Sequence, residues 1–156
     1  EYISNIRQEG DSIGGIVQCT ITGLPVGIGE PIFDKLQSHL AFAMMSINGC
    51  KGFEYGSGFE GVELKGSEMY LSENQTLISG GIAGGISDGT PVVFRCVFKP
   101  TASCRKTFEK AYPHPLPEGK GVDKRIVGRH DACIAVRAVA VVEAMAALVL
   151  QDIFSV

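Results

Sequence analysis

The sequence lacks a surplus of charge of either sign. Fourteen Lys and Arg stand against 17 Asp and Glu, leaving a formal charge of −3 over 156 residues, and the basic residues are spread thinly. Nucleic-acid binding rests on clustered cations that neutralise phosphates, so a nucleic-acid partner is not expected. The five cysteines, Cys19, Cys50, Cys96, Cys104 and Cys133, are odd in number and form no C-x-x-C pair. Neither a metal site nor a disulfide framework is indicated, and the expectation is reduced packing thiols in a cytoplasmic protein. An uninterrupted apolar run is also missing. The nearest, Ala132 to Leu150, contains Arg137 and Glu143, and an arginine alone costs about 2.5–3.5 kcal/mol at the centre of a bilayer. No membrane partner is therefore expected, and the segment reads as a helix in the buried layer of a soluble protein. No secretory leader is recognised, and Glu1 opens inside a polar run, so the chain is expected to be a piece of a longer protein.

What is present suffices for a single domain over 1–156, since 45% of the residues are hydrophobic and the length is too short for two ordinary domains. Val17, Cys19 and Ile21 alternate with polar Gln18, Thr20 and Thr22, the period of a half-buried strand. Phe33, Leu36, Leu40, Ala43, Met44 and Ile47 recur at helical spacing, with Pro31 suited to the first turn and Asn48-Gly49 as the stop. Short strands are predicted at Gly52–Gly56 and Val62–Lys65, a loop at Gly66–Thr76, and a strong strand at Pro91–Lys99. A long loop is predicted over about 100–127 and a helix from Ala132 to Leu150. This order of elements predicts an α+β layer arrangement with antiparallel sheet.

Three short motifs mislead. Gly56-Ser57-Gly58-Phe59-Glu60-Gly61 has dinucleotide-binding spacing but leads into a strand-like run, so no helix N-terminus follows to hold a pyrophosphate. Gly85-Ile86-Ser87-Asp88-Gly89 has the spacing of a hydrolase elbow but continues as strand, which leaves Ser87 as a turn residue. Asn74-Gln75-Thr76 has the spacing of a glycosylation acceptor, without a secretory context.

The chemistry-bearing residues lie elsewhere. Gly128-Arg129-His130-Asp131 sets a guanidinium, an imidazole and a carboxylate at the mouth of the apolar segment, where isolated charges pair, meet a ligand or have their pKa values retuned. The alternative is a helix start with Asp131 as N-cap. Lys99-Pro100-Thr101-Ala102-Ser103 ends a strand with a cation, two hydroxyls and backbone held by proline, a cradle for a phosphate or a flavin edge. The run Ser79–Ser87 carries four glycines that let backbone approach a planar ligand.

Taken in order, Gly10-Asp11-Ser12-Ile13-Gly14-Gly15, Gly27–Leu36, Ala43–Asn48, Lys51–Glu54, Gly84–Ser87, Phe98–Thr101, Gly128–Asp131 and Val142–Leu150 resemble the chorismate synthase family, specifically its second half. The resemblance implies helices packed between antiparallel sheets, one of two similar halves, in a homotetramer. It implies conversion of 5-enolpyruvylshikimate-3-phosphate to chorismate, by loss of phosphate and a ring proton, with reduced FMN required but not consumed overall. Asp131 then matches the aspartate that relays the proton. Asn48, Gly49, Gly84, Lys99, Pro100, Thr101, Ala102, Ser103 and Arg129 match flavin-site positions. Some members of the family also use NADP to reduce their flavin, although no nicotinamide-binding signature is evident here. The family's two catalytic histidines and substrate arginines belong to the first half, and His39, His114 and His130 match neither histidine. The family usually has proline where this chain has Ala132, Val136 and Ala140, which favours a more regular start to the last helix. Two readings follow: a phosphate-eliminating lyase, or a half-length module that folds, assembles or binds flavin without turnover.

Overall fold

The structure is a computed structural model that describes residues 1–71, 78–107 and 130–155. Its centre is a three-stranded antiparallel sheet in the order β1 (Gly15–Ile21), β5 (Val92–Phe98), β2 (Cys50–Tyr55). Gly15 stands opposite Phe98 and Ile21 opposite Val92 on one side of β5. Cys50 pairs with Phe98 and Tyr55 with Phe94 on the other, with a bulge between Cys50 and Gly52. Two helices, α2 (Leu36–Met45) and α4 (Ala135–Phe154, the fourth α-helix among the described residues), cover one face.

Alternation puts Val92, Phe94, Cys96 and Phe98 on the covered face of β5, all essentially buried. They meet Leu36, Leu40 and Met44 of α2, and Ala135, Ala138, Val142 and Ala146 of α4. Both sets recur every three or four residues, the stripe a helix presents to a sheet. Burying Phe94 and Phe98 contributes roughly 1.5–3 kcal/mol each, and the small residues of α4 let it lie close. Burial also pushes the Cys96 thiol up to about 12, reinforced by neighbouring Cys50 and Cys19. All five cysteines are free thiols, and four are buried, so they act as small apolar side chains.

The strands predicted at 17–22 and 91–99 and the α+β class are borne out, with shifted ends. Several other expectations are corrected. The helix predicted from Pro31 begins only at Leu36, because Glu30 to Asp34 close a turn of their own (Glu30 N–H to Asp34 carbonyl, 2.8 Å). Val62–Lys65 is not a strand: Gly58–Glu63 is a 3₁₀-helix, followed by a short α3 (Gly66–Leu71) where a loop was predicted. An unpredicted α1 (Tyr2–Gln8) leads the chain. The glycine run forms a small hairpin, β3 (Ile82–Ala83) with β4 (Ile86–Ser87). Ser87 is thus a buried strand residue rather than a turn residue, its hydroxyl donating to the Pro25 carbonyl (2.6 Å) and accepting from the Ile28 N–H (2.9 Å).

The last helix starts at Ala135, three residues later than predicted, and runs without a break through Val136 and Ala140, as the absence of proline there allows. It is not buried all round. Its far face is open, with Val136 and Leu148 each 63% exposed, because among the described residues the three-stranded sheet covers only one side. The stretch 100–107 is irregular until Arg105, and 108–127 lies outside the described residues. Among the described residues, no helix is long and apolar enough to cross a membrane.

Candidate functional site

Where β1 begins and β5 ends, three chain segments meet. The Lys99 N–H donates to the Gly49 carbonyl (3.0 Å), which sets the Asn48-Gly49 turn against the end of β5. Gly49 turns the chain from α2 into β2 at φ +87°, a left-handed conformation that favours glycine, and a Cβ there would come within 2.9 Å of Ile134 Cδ1. The Ile13 N–H donates to the Ala132 carbonyl (2.8 Å), bringing Asp131 and the approach to α4 to the same end. Pro100 packs where Gly14 has no side chain: a Cβ on Gly14 would run into the Phe98 carbonyl and lie 3.3 Å from Pro100 Cδ. The Ser12 hydroxyl donates to the Thr101 carbonyl at 2.6 Å. Asn48, Gly49, Lys99, Pro100, Thr101 and Asp131 are thereby gathered, with exposed Ala102 and Ser103 continuing from Thr101.

Two features give this end of the sheet chemical character. Thr101 Oγ1 is buried and has no hydrogen-bond partner among the described residues, a cost of about 1–3 kcal/mol that a ligand would relieve. Asp131 does not cap the helix. The N-cap position belongs to Ile134, which makes no side-chain cap, and Asp131 Oδ2 instead lies 3.2 Å from Arg137 Nε. Gly128 and Arg129 lie outside the described residues.

Gly84 is not part of this cluster. It sits at the tip of the β3–β4 hairpin at φ +64°, with open space where a Cβ would stand. The hairpin is tied to the start of α2 by the Leu36 N–H donating to the Gly85 carbonyl (2.9 Å), whereas Asn48-Gly49 follows the other end of α2, about 15 Å away for a ten-residue helix. Gly84 borders a cleft of about 910 Å³ between α2, β2 and the hairpin, walled by Phe53, Tyr55 and Phe59. Among the described residues, Glu54 and Asp88 line it and no Lys or Arg does. Glu54 is occupied by Arg95 Nε at 2.8 Å and by the Phe59 N–H at 3.0 Å. Gln37 Oε1, on the cleft wall, is buried without a partner.

The pattern arguments gave no role to Asp11 and Ser12, although both brace the cradle. Asp11 Oδ1 accepts from the Ser12 N–H (2.8 Å), and its Oδ2 lies 3.2 Å from Lys106 Nζ. The Ser12 amide first, and Lys106 second, hold the Asp11 carboxyl below its ordinary value; Glu9 and Asp11 in turn raise Lys106. Beyond their place in the Gly10–Gly15 block that resembles the family, the sequence signal was an Asp-Ser pair, whose side chains favour local turns.

The fold and this site define an α+β protein whose sheet end offers a cation, hydroxyls and glycine backbone. A family model for chorismate synthase matches residues 1–154. The chain is 49% identical to the chorismate synthases of Christiangramia forsetii and Cytophaga hutchinsonii, over 98% and 99% of its own length and 44% of each relative. A crystal structure of chorismate synthase is similar at a TM-score of 0.69 and 29% identity, covering 97% of this chain and 40% of that one. The chain belongs to the chorismate synthase family. It spans less than half the length of the relatives it matches, in their C-terminal half.

The gathered residues fit a flavin mononucleotide in two respects. The buried Thr101 hydroxyl has no partner among the described residues, and exposed Lys99 supplies a cation for an anionic group.

Proposed function

We propose that this chain forms the C-terminal portion of a working chorismate synthase, a lyase that eliminates phosphate and a ring proton from 5-enolpyruvylshikimate-3-phosphate to give chorismate. The observation that carries the proposal is the convergence of Lys99, Pro100, Thr101, Asn48-Gly49 and Asp131 at one end of the sheet, where the Thr101 hydroxyl is buried without a partner among the described residues. When bound, reduced FMN supplies electron density to the carbon that phosphate leaves and a base for the ring proton. Lys99 and the Thr101 hydroxyl hold the anionic and polar edges of the ligand. Ala102 and Ser103 extend the same wall, and Arg129, which matches a flavin-site position of the family and lies outside the described residues, would bind flavin or a substrate anion. Asp131 holds and passes on a proton at its carboxylate. The proposal extends to a cytoplasmic homotetramer of the full-length protein, with NADP as the electron source where the enzyme reduces its own flavin.

A second reading, a module that folds, assembles or binds flavin without turnover, is favoured by the fraction of each relative that the chain covers, 44%. One experiment separates them. Chorismate formation is measured with reduced FMN for the 156-residue chain alone and for the full-length protein. The expected result is turnover on the usual scale of about 1–10³ s⁻¹ in the full-length protein only. Turnover by the 156-residue chain overturns the division of labour between the halves, and its absence from both leaves the module reading.

A further inference from the structure

Residues 101–107 have little apolar anchorage. Cys104 is buried and Thr101 half-buried, but Ala102, Ser103, Arg105, Lys106 and Thr107 are all exposed. The segment is held instead by polar bonds to Glu9–Ser12, about ninety residues earlier in the chain. The Lys106 N–H donates to the Gly10 carbonyl (3.1 Å), Arg105 Nη2 to the Glu9 carbonyl (3.3 Å), and Lys106 Nζ to Glu9 Oε2 (3.1 Å) and Asp11 Oδ2 (3.2 Å). Cys104 Sγ lies 3.8 Å from Asp11 Oδ1. At the cradle end the Ser12 hydroxyl donates to the Thr101 carbonyl, 2.6 Å, and Ser12 is itself fixed by its N–H on Asp11 Oδ1.

We propose that Ser12 is a positioning residue for the flavin cradle, with the Glu9–Asp11–Lys106 cluster as its second anchor. The proposal rests on the flavin-site reading of Lys99–Ser103. A peptide plane is rigid, so gripping the Thr101 carbonyl fixes the direction in which the Thr101 side chain leaves the backbone. Pro100 restricts the chain just before Thr101, and a threonine has few rotamers of its own. Between Pro100 and Ser12 the backbone that carries the Thr101 hydroxyl is held from both sides, and that hydroxyl is buried without a partner among the described residues. Without the Ser12 hydroxyl the carbonyl is released to water, the segment gains conformations, and ligand binding must order it again.

The test compares unmodified full-length protein with Ser12→Ala and Ser12→Thr, the second keeping the hydroxyl. In flavin-free protein, amide hydrogen exchange across 101–107 is expected to quicken about tenfold in Ser12→Ala, the effect of losing one hydrogen bond on a local opening, and to return close to normal in Ser12→Thr. Exchange within β5 and the flavin-free melting temperature should be the same in all three. The FMN dissociation constant, read from fluorescence quenching, should weaken about tenfold in Ser12→Ala and recover in Ser12→Thr. Unchanged exchange in Ser12→Ala overturns the proposal, and so does quickened exchange with unchanged FMN affinity. Unmodified protein that fails to bind FMN sinks the flavin reading of the cradle, while the exchange comparison still decides whether Ser12 holds the segment.

Discussion

Asp131 is separated from a capping role by the geometry around it. Ile134 occupies the N-cap of α4, and the contact Asp131 makes is with Arg137, whose side chain is 79% exposed. An exposed pair of this kind contributes about 0–1 kcal/mol. Asp131→Asn in the full-length enzyme should therefore leave melting temperature and FMN affinity nearly unchanged while lowering turnover about 10²–10⁴-fold, the usual contribution of one positioned acid or base. Turnover and melting are measured on the same preparation, and normal turnover refutes the proton role. Asp131 was legible in the sequence because a charged triplet beside a long apolar segment is chemically anomalous. Ser12 was not, because its partner lies 89 residues away and a serine beside an aspartate reads as an ordinary turn.

The segment 101–107 shows how charge governs an irregular element. The Asp11 carboxyl is depressed from its ordinary value of 3.8, so its stabilising contribution is present above that pH and is lost as pH falls through the lower, folded value. Lys106 is raised from 10.5, so its contribution is present below that pH and is lost as pH rises through the higher, folded value. The anchor should hold from about pH 5 to about pH 10 and loosen beyond both ends. A carbon-detected NMR titration of the Asp11 side chain should give a midpoint below 3.8, and a midpoint at or above it removes the anchor. Among the regular elements, β1, β5 and the body of α2 were legible because periods of two and of 3.6 were well sampled. The start of α2, the 3₁₀-helix and the hairpin were not, since each is set by a long-range bond or by glycines at positive φ, such as Gly81 and Gly85.

At the scale of the whole molecule, the helix layer is covered on one side only among the described residues. On the faces of α2 and α4 turned from the sheet, Phe42 is 79% exposed, Val136 and Leu148 63% each, and Met45 48%. Single exposed apolar side chains are ordinary, but two adjacent helices presenting them together form a patch that associates in water. The 156-residue chain by itself should therefore self-associate, seen as a sedimentation coefficient that rises with concentration. A single monomeric boundary at every concentration, with a sharp thermal transition, overturns this expectation.

Composition, periodicity and ordered motif blocks determined the α+β class, the two main strands, the principal helices, the family resemblance and most of the residues proposed to meet the ligand. These follow from local chemistry, which neighbouring residues express without reference to the rest of the chain. Tertiary structure decided which of those residues stand together. It gathered Asn48-Gly49, Lys99–Thr101 and Asp131, set Gly84 a helix length apart, and brought Ser12 onto Thr101. It also decided that α4 buries one face and leaves the other open, because the number of sheets against a helix is a property of the assembled layers and not of the helix's own sequence.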